Sequence, residues 1–303
     1  MTSPAPVYAA TTPPRTVAYI SVPYFRDQGR RGVQTDALAP RGTASDNDAA
    51  LYRYIMQGTS WVDDHLNLGG QSLAAQQIVI TGRARIGSDG YVTIAAPIRP
   101  VIGVVGASFG APGNLTALTS LQGTDVQPTQ IRVPVAPFSA VTWSGPIQLG
   151  VSAVGAEVSY ALTIIAGYVV TTLTASASAG DLLLNVADTT GILPGLTRLT
   201  VYSGRTQFSF LAGAVSAASG PGTVACPAVP LAIPNDSVYP FNVSSLPESI
   251  MNATVLATRG IIKQPGGGNI SANTRQKGSS DGGAADDFEQ AWEIIRHHMV
   301  LTP

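Results

Sequence analysis

The stretch SDNDAALYRYIMQGTSWVDDHL, residues 45–66, decides the reading of the fold. Ser45-Asp46-Asn47-Asp48 supplies capping oxygens and negative charge where the first N–H groups of a helix lack partners. Leu51, Tyr54/Ile55, Gly58, Val62 and Leu66 then recur at the 3.6-residue period of an amphipathic helix. Trp61 and His65 flank that stripe. Asn67-Leu68-Gly69-Gly70 predicts the stop, because glycine adopts the left-handed turn that ends helices.

Matching patterns stand at the other end of the chain. Ser245 is a candidate cap, Pro247 suits a first helical turn, and Glu248 adds charge there. Ile250/Met251, Thr254/Val255, Thr258 and Ile261/Ile262 form the stripe of that helix. A last helix is predicted over about Ala285 to Val300. Asp286, Asp287 and Glu289 stand at its positive end and Arg296, His297 and His298 at its negative end, as the helix dipole favours. Phe288, Ala291/Trp292, Ile295 and Met299 make its buried stripe. No such helix buries its stripe alone. Leu51, Ile55, Trp61 and Val62 are therefore expected to pack with Phe288, Trp292, Ile295 and Met299 in one helical unit, 46–68 plus 246–303.

Between the helices the pattern is β. Gln77 to Ile80, Arg83 to Ile86 and Tyr91 to Ile94 alternate as short strands, and Gly87-Ser88-Asp89-Gly90 predicts a hairpin turn. Val101 to Val105, Ile131 to Val135 and Val158 to Val170 continue a first β domain, 69–173. A second, smaller one spans 174–245. There Leu182, Leu184 and Val186 share a strand face, and Leu199 to Tyr202 with Gln207 to Leu211 form a hairpin around Ser203-Gly204-Arg205. The expected class is α+β, mostly β. Terminal helices pack together around a large antiparallel insertion of sandwich or barrel units.

Residues 1–45 read as an extended N-terminal arm. Pro4, Pro6, Pro13, Pro14, Pro23 and Pro40 forbid long regular structure. Tyr19, Tyr24 and Phe25 suit an arm laid against a neighbouring subunit. Gln264 to Gly283 reads as a polar loop.

Charge is sparse where the pattern is β. The chain has 17 basic and 18 acidic side chains, yet only twelve of them fall between Gly69 and Ser245. A lone soluble domain keeps roughly 25–35% charged residues on its surface. The poverty of charge implies either an outer face covered by other chains or one built from Ser, Thr and Gly. A formal net charge of −1 argues against holding nucleic acid by its backbone. No 18-residue apolar run occurs, so no membrane span is expected. The single cysteine, Cys226, forms no internal disulfide and reads as a core thiol.

The chemistry-bearing residues do not form a catalytic pattern. His297 and His298 are adjacent and diverge by about 100° on a helix, unlike an i, i+4 metal pair. Asp63 and Asp64 diverge in the same way. The Gly-rich stretches Gly103 to Gly113 and Gln264 to Gly268 lack the lysine and hydroxyl of a phosphate cradle. The chain reads as a non-enzymatic structural protein needing no cofactor.

Several segments, in collinear order, carry a resemblance. They are Tyr19-Ile20-Ser21-Val22-Pro23-Tyr24-Phe25-Arg26, Asp46 to Leu51 leading to Thr59-Ser60-Trp61-Val62-Asp63, and Arg83 to Ile94 with Arg99-Pro100-Val101. Ile165 to Leu173, Ala179 to Ile192 with Pro194-Gly195, Leu246-Pro247 to Arg259-Gly260, and the helix from Asp286 complete them. On these the chain resembles the head-to-tail adaptor (connector) proteins of long-tailed bacteriophages, of the actinobacterial type. It departs at Thr206-Gln207, where a Glu is common, and at Pro230 to Ser237, which lacks a His seen in many such chains.

The resemblance implies a virion protein at the head–tail interface, a ring of identical subunits, commonly twelve. It implies contacts with the portal protein and with tail-side stopper or tail-terminator proteins. DNA would pass through the ring without sequence-specific binding. Another phage tail or capsid-associated protein, or a β-rich surface- or carbohydrate-binding module with an exposed aromatic cleft, are the alternatives.

Overall fold

A computed structural model describes residues 7–10, 17–28, 33–36, 38–39, 41–66, 72–98, 100–127, 129–135, 155–203, 206–234, 241–264 and 282–298. The protein is mixed α+β and mostly β. It divides into two compact units, Met1–Arg15 with Ala75–Gly167, and Thr16–Ala74 with Tyr168–Pro303.

The first unit is all β. Its strands are β1 (Val7–Ala10), β2 (Gln76–Arg85), β3 (Tyr91–Ala95), β4 (Val101–Ala111), β5 (Asn114–Ala117), β6 (Asp125–Val126), β7 (Gln130–Pro134) and β8 (Glu157–Ala166). A five-stranded sheet runs β1-β2-β8-β4-β5 and a three-stranded sheet runs β3-β7-β6. β2 and β8 pair without a break from Gln76↔Ala166 to Arg85↔Glu157. In β8 every second residue from Val158 to Ala166 is buried, the period-2 signature of a strand with one covered face. Ile78, Ile80, Leu162 and Ile164 of the large sheet meet Val92, Ile94, Ile131 and Val133 of the small one in a single core.

The Gly87–Gly90 segment does form a tight turn. Gly87 N–H donates to the Tyr91 carbonyl at 2.8 Å, and Gly90 sits at φ +79°, where a side chain is strained. The strands it joins do not form the expected hairpin. Beyond one bridge, Ile86↔Val92, β2 stays in the large sheet and β3 enters the small one. The turn is a corner between layers. Period-2 patterning shows which face is apolar but not which strand lies alongside.

The second unit holds α1 (Val22–Gln28), α2 (Ala44–His65), β9 (Val170–Thr172), β10 (Leu183–Val186), β11 (Arg198–Ser203), β12 (Thr206–Leu211), β13 (Gly222–Ala225), β14 (Asn242–Ser244), α3 (Glu248–Lys263) and α4 (Gly282–Ile295). α2 begins at Thr43. Its hydroxyl caps the Asp46 N–H, while the Asp46 carboxylate reaches back to the Thr43 N–H at 2.7 Å, a capping box. α3 opens on Pro247 with no side-chain cap, and the Ser245 hydroxyl instead accepts the Val169 N–H. The expected stop at 67–70 lies outside the described residues; α2 ends at His65 with Leu66 as its cap.

The small β part contains a four-stranded sheet, β12-β11-β14-β9, and a two-stranded one, β10-β13. β9 pairs β14 from Asn242↔Thr172 to Ser244↔Val170, so this part begins before the expected boundary at 174. One core unites both sheets, with Leu184, Val186 and Val224 facing Leu199, Val201, Phe210 and Val243. The bridges Leu173↔Val186 and Val215↔Val224 link strands around that core, but among the described residues no barrel closes. Among the described residues β12 has only β11 beside it. Helical and small β parts share a unit because Val170 and Tyr202 pack into the helical core.

The extended arm expected over 1–45 is not what residues 17–28 form. Tyr19, Ile20, Val22 and Phe25 are fully buried in the helical core, and Val22–Gln28 is a helix. The apolar surface of Tyr19 and Phe25 is large, and folding buries it inside the same unit. Val7–Ala10 pairs as a strand with Ile78–Thr81 of β2.

Candidate functional site

The site residues expected from sequence converge on the helical part of the second unit. Leu51, Ile55 and Val62 of α2 are fully buried, and Trp61 packs at the margin of the same core. Gly58 allows the close approach of α2 to α3. A Cβ built there would lie 2.2 Å from the Thr258 hydroxyl, nearer than any real contact. Gly260 does the same for α4, where a Cβ would meet the Phe288 ring at 2.8 Å. Ile295 is fully buried and Phe288 partly so. Met299 lies outside the described residues.

Trp292 is not in the buried stripe as expected. It is 37% exposed. The covered face of α4 runs through Asp287, Ala291 and Ile295, spaced four residues apart, and Trp292 stands one position round the helix. It borders an aromatic cluster instead. Trp61 stacks on His65 with ring centroids 3.8 Å apart, Phe288 leans on Trp61 at 5.3 Å, and Trp292 meets His65 edge-on at 5.9 Å. The His65 Nδ1–H donates to the Trp61 carbonyl at 2.8 Å, which fixes the ring against the indole.

Asp287, expected as one of the charges at the positive end of the last helix, turns inward. It is buried and bridges α4 to α3, at 2.7 Å from Lys263 and 3.1 Å from Arg259. Its spacing with Ala291 and Ile295 is the signal in the sequence that marks it as inward-facing.

Tyr19 and Asp63 form a second polar cluster in the core. The Tyr19 hydroxyl donates to the Asp63 carboxylate and lies 3.0 Å from the Ser72 hydroxyl. The Leu73 N–H is shared between Tyr19 Oη at 2.8 Å and Asp63 Oδ1 at 3.2 Å. Burial pushes the Asp63 carboxyl up to about 6, against the downward pull of its hydrogen bonds. Burial first, and then the Asp63 charge, raises the Tyr19 phenol well above its usual range. Tyr24 meets Tyr202 of β11 edge-on at 4.8 Å, and the Asn242 side-chain amide donates to the Ala18 carbonyl. Ala18 and Tyr24 thus join this segment to the small β part, while Tyr19 ties it to α2.

Among the described residues no group of three His, Cys, Asp or Glu side chains converges to hold a metal. Burial, and then the Asp181 charge, raises the Cys226 thiol above its ordinary range, which keeps it protonated. His297 and His298 are exposed beyond α4, and His298 Nε2 lies 2.9 Å from the Ser249 hydroxyl. Among the described residues no helix is long and apolar enough to cross a membrane.

Most of the exposed large apolar side chains among the described residues fall in the small β part. Leu196 is 75% exposed, Leu182 61%, Leu183 53% and Leu211 49%, with Leu231 and Leu193 also in solvent. Single exposed leucines are ordinary, but several in one small β part, on its strands and turns, suit a surface that another molecule covers. No protein-family model, no curated protein and no solved structure matches this chain.

Proposed function

We propose that the chain is a structural assembly protein, a ring-forming head-to-tail connector that links a phage portal to tail-side proteins and lines part of the DNA conduit. The observation that supports assembly is the group of solvent-facing leucines on a β surface that carries little charge. Apolar area left in water costs free energy that a partner surface recovers, at roughly 25 cal/mol per Å². The phage assignment rests on the collinear sequence segments quoted above. Near-zero net charge suits a conduit that lets DNA slide without holding it.

Electron microscopy of the purified protein, alone and mixed with a portal ring, tests the reading. Closed rings of about twelve copies, formed alone or on the portal, are the expected result. Protein that stays unassembled in both samples overturns it. The partial exposure of Trp292 beside Trp61 and His65 favours a second reading, an aromatic platform for a ligand. Glycan binding lost in Trp292→Ala would support that reading instead.

A further inference from the structure

The β12 edge is built like a seam. Ala212 N–H donates to the Thr197 carbonyl, so in the register that follows, Leu199↔Phe210 and Val201↔Phe208 are the hydrogen-bonded pairs. Gln207, Ser209 and Leu211 therefore turn their main-chain N–H and C=O groups away from β11. Among the described residues nothing meets them. An edge of this kind is normally blunted by a charge, a proline or shortness. The sequence here, Thr-Gln-Phe-Ser-Phe-Leu, has six residues, no charge and no proline. The edges of the first unit differ, since β5 has four residues and β1 lies between prolines.

The solvent side of the same strand carries Gln207, Ser209 and Leu211, uncharged throughout, with the Ser209 hydroxyl 2.8 Å from that of Thr200 on β11. Leu211 faces outward beside Arg198, and alternation puts Gly213 on the same side. A Cβ on Gly213 would touch the Ala225 methyl at 3.0 Å, and Ala225 pairs with exposed Leu183. Apolar contact continues past the end of the strand from Leu211 through Gly213 and Ala225 to Leu183, with Arg198 a strand back from the edge.

The geometry points to a second copy of this chain as the occupant, paired antiparallel through β12 about a two-fold axis at Ser209. The free main-chain groups fall on residues 207, 209 and 211, which are symmetric about 209. In an antiparallel copy Ser209 bonds Ser209 of the second chain, and Gln207 bonds Leu211. The edge is self-complementary without adjustment. On the inner side Phe208, which is only partly covered and stacks on Phe210 at 5.1 Å, meets Phe210 of the other copy. A two-fold interface places a patch against itself, so it must carry no like charges face to face. This edge carries none, whereas a charged partner would find no counter-ion on it. The pairing uses the same edge of each copy, so it closes at two. It does not rest on the connector reading, because it is argued from the β12 edge alone.

A single cysteine at the axis tests the register. Paired residues of this type lie about 5.5 Å apart at Cα, within disulfide reach. Ser209→Cys combined with Cys226→Ala is expected to cross-link to itself under mild oxidation, and Leu196→Cys in the same background is not. Ser209→Lys places two cations on the axis, and Ser209→Pro removes an N–H that points away from β11. Both are expected to weaken self-association by about tenfold or more in sedimentation at micromolar protein, with unchanged far-UV circular dichroism. Wild-type protein that sediments as a monomer overturns the proposal. So does a Ser209→Cys variant that fails to cross-link, or a native mass indifferent to both the Lys and Pro substitutions.

Discussion

The second unit carries two surfaces that contrast sharply. In its helical part, Leu51, Ile55, Val62, Ile250 and Ile295 are covered, and glycines at the crossings bring the helices close together. In its small β part, leucines stand in water beside a strand edge with free main-chain groups. Folding within one chain satisfies the first surface and leaves the second open. Substitutions in the helical part should therefore be read in stability, and substitutions on the β face in association.

Phe25→Ala puts the contrast to its hardest test. The prolines around residues 17–28 suggest an assembly arm, but Phe25 is fully buried in the chain's own core. Truncation should cost about 3–5 kcal/mol in denaturant unfolding. A stable variant defective only in assembly would restore the arm. Asp287→Ala should cost about 3 kcal/mol, since it leaves Arg259 and Lys263 facing each other without their shared carboxylate. Asp287→Asn is expected to be milder.

The Asp63 cluster predicts a pH effect of definite sign. Its carboxyl titrates near 6 in the folded chain, above the ordinary aspartate value of 3.8. Between those values the folded state binds more protons than the unfolded one, so its contribution to stability falls as pH rises and levels off above about 6. The loss amounts to roughly 2–3 kcal/mol between pH 4 and pH 7. Asp63→Asn should flatten that slope in urea melts; a slope that survives would assign it to other groups.

Smaller effects sharpen the boundary between the two surfaces. Trp292→Ala should cost about 1 kcal/mol, the scale of an edge aromatic contact and well below core truncation. A loss of several kcal/mol would return Trp292 to the core. Leu196→Ser should move stability by less than about 0.5 kcal/mol and change only the solubility or native mass.

Much of the secondary structure is legible in the sequence because it depends on neighbours a few residues apart. The α2 stripe, the negatively charged start of that helix, and the β11–β12 hairpin follow from such spacing. Asp287 and Trp292 exchange their expected environments because one step round a helix is 100°, and residues 287, 288, 291 and 292 are all compatible with an apolar face. The cap of α3 is not legible locally, because the Ser245 hydroxyl has a competing partner in Val169, 76 residues away.

The sequence by itself determined the α+β class, the helical ends around a β-rich middle, the scarcity of charge there and the lack of a catalytic motif. Only the tertiary structure decided that Tyr19 and Phe25 belong to the core, that the Gly87–Gly90 turn joins two sheets, and that among the described residues β12 has one neighbour. The reason is range. Local periodicity states which face of an element is apolar, whereas what covers that face depends on segments far along the chain, such as β8 against β2 or Asn242 against Ala18.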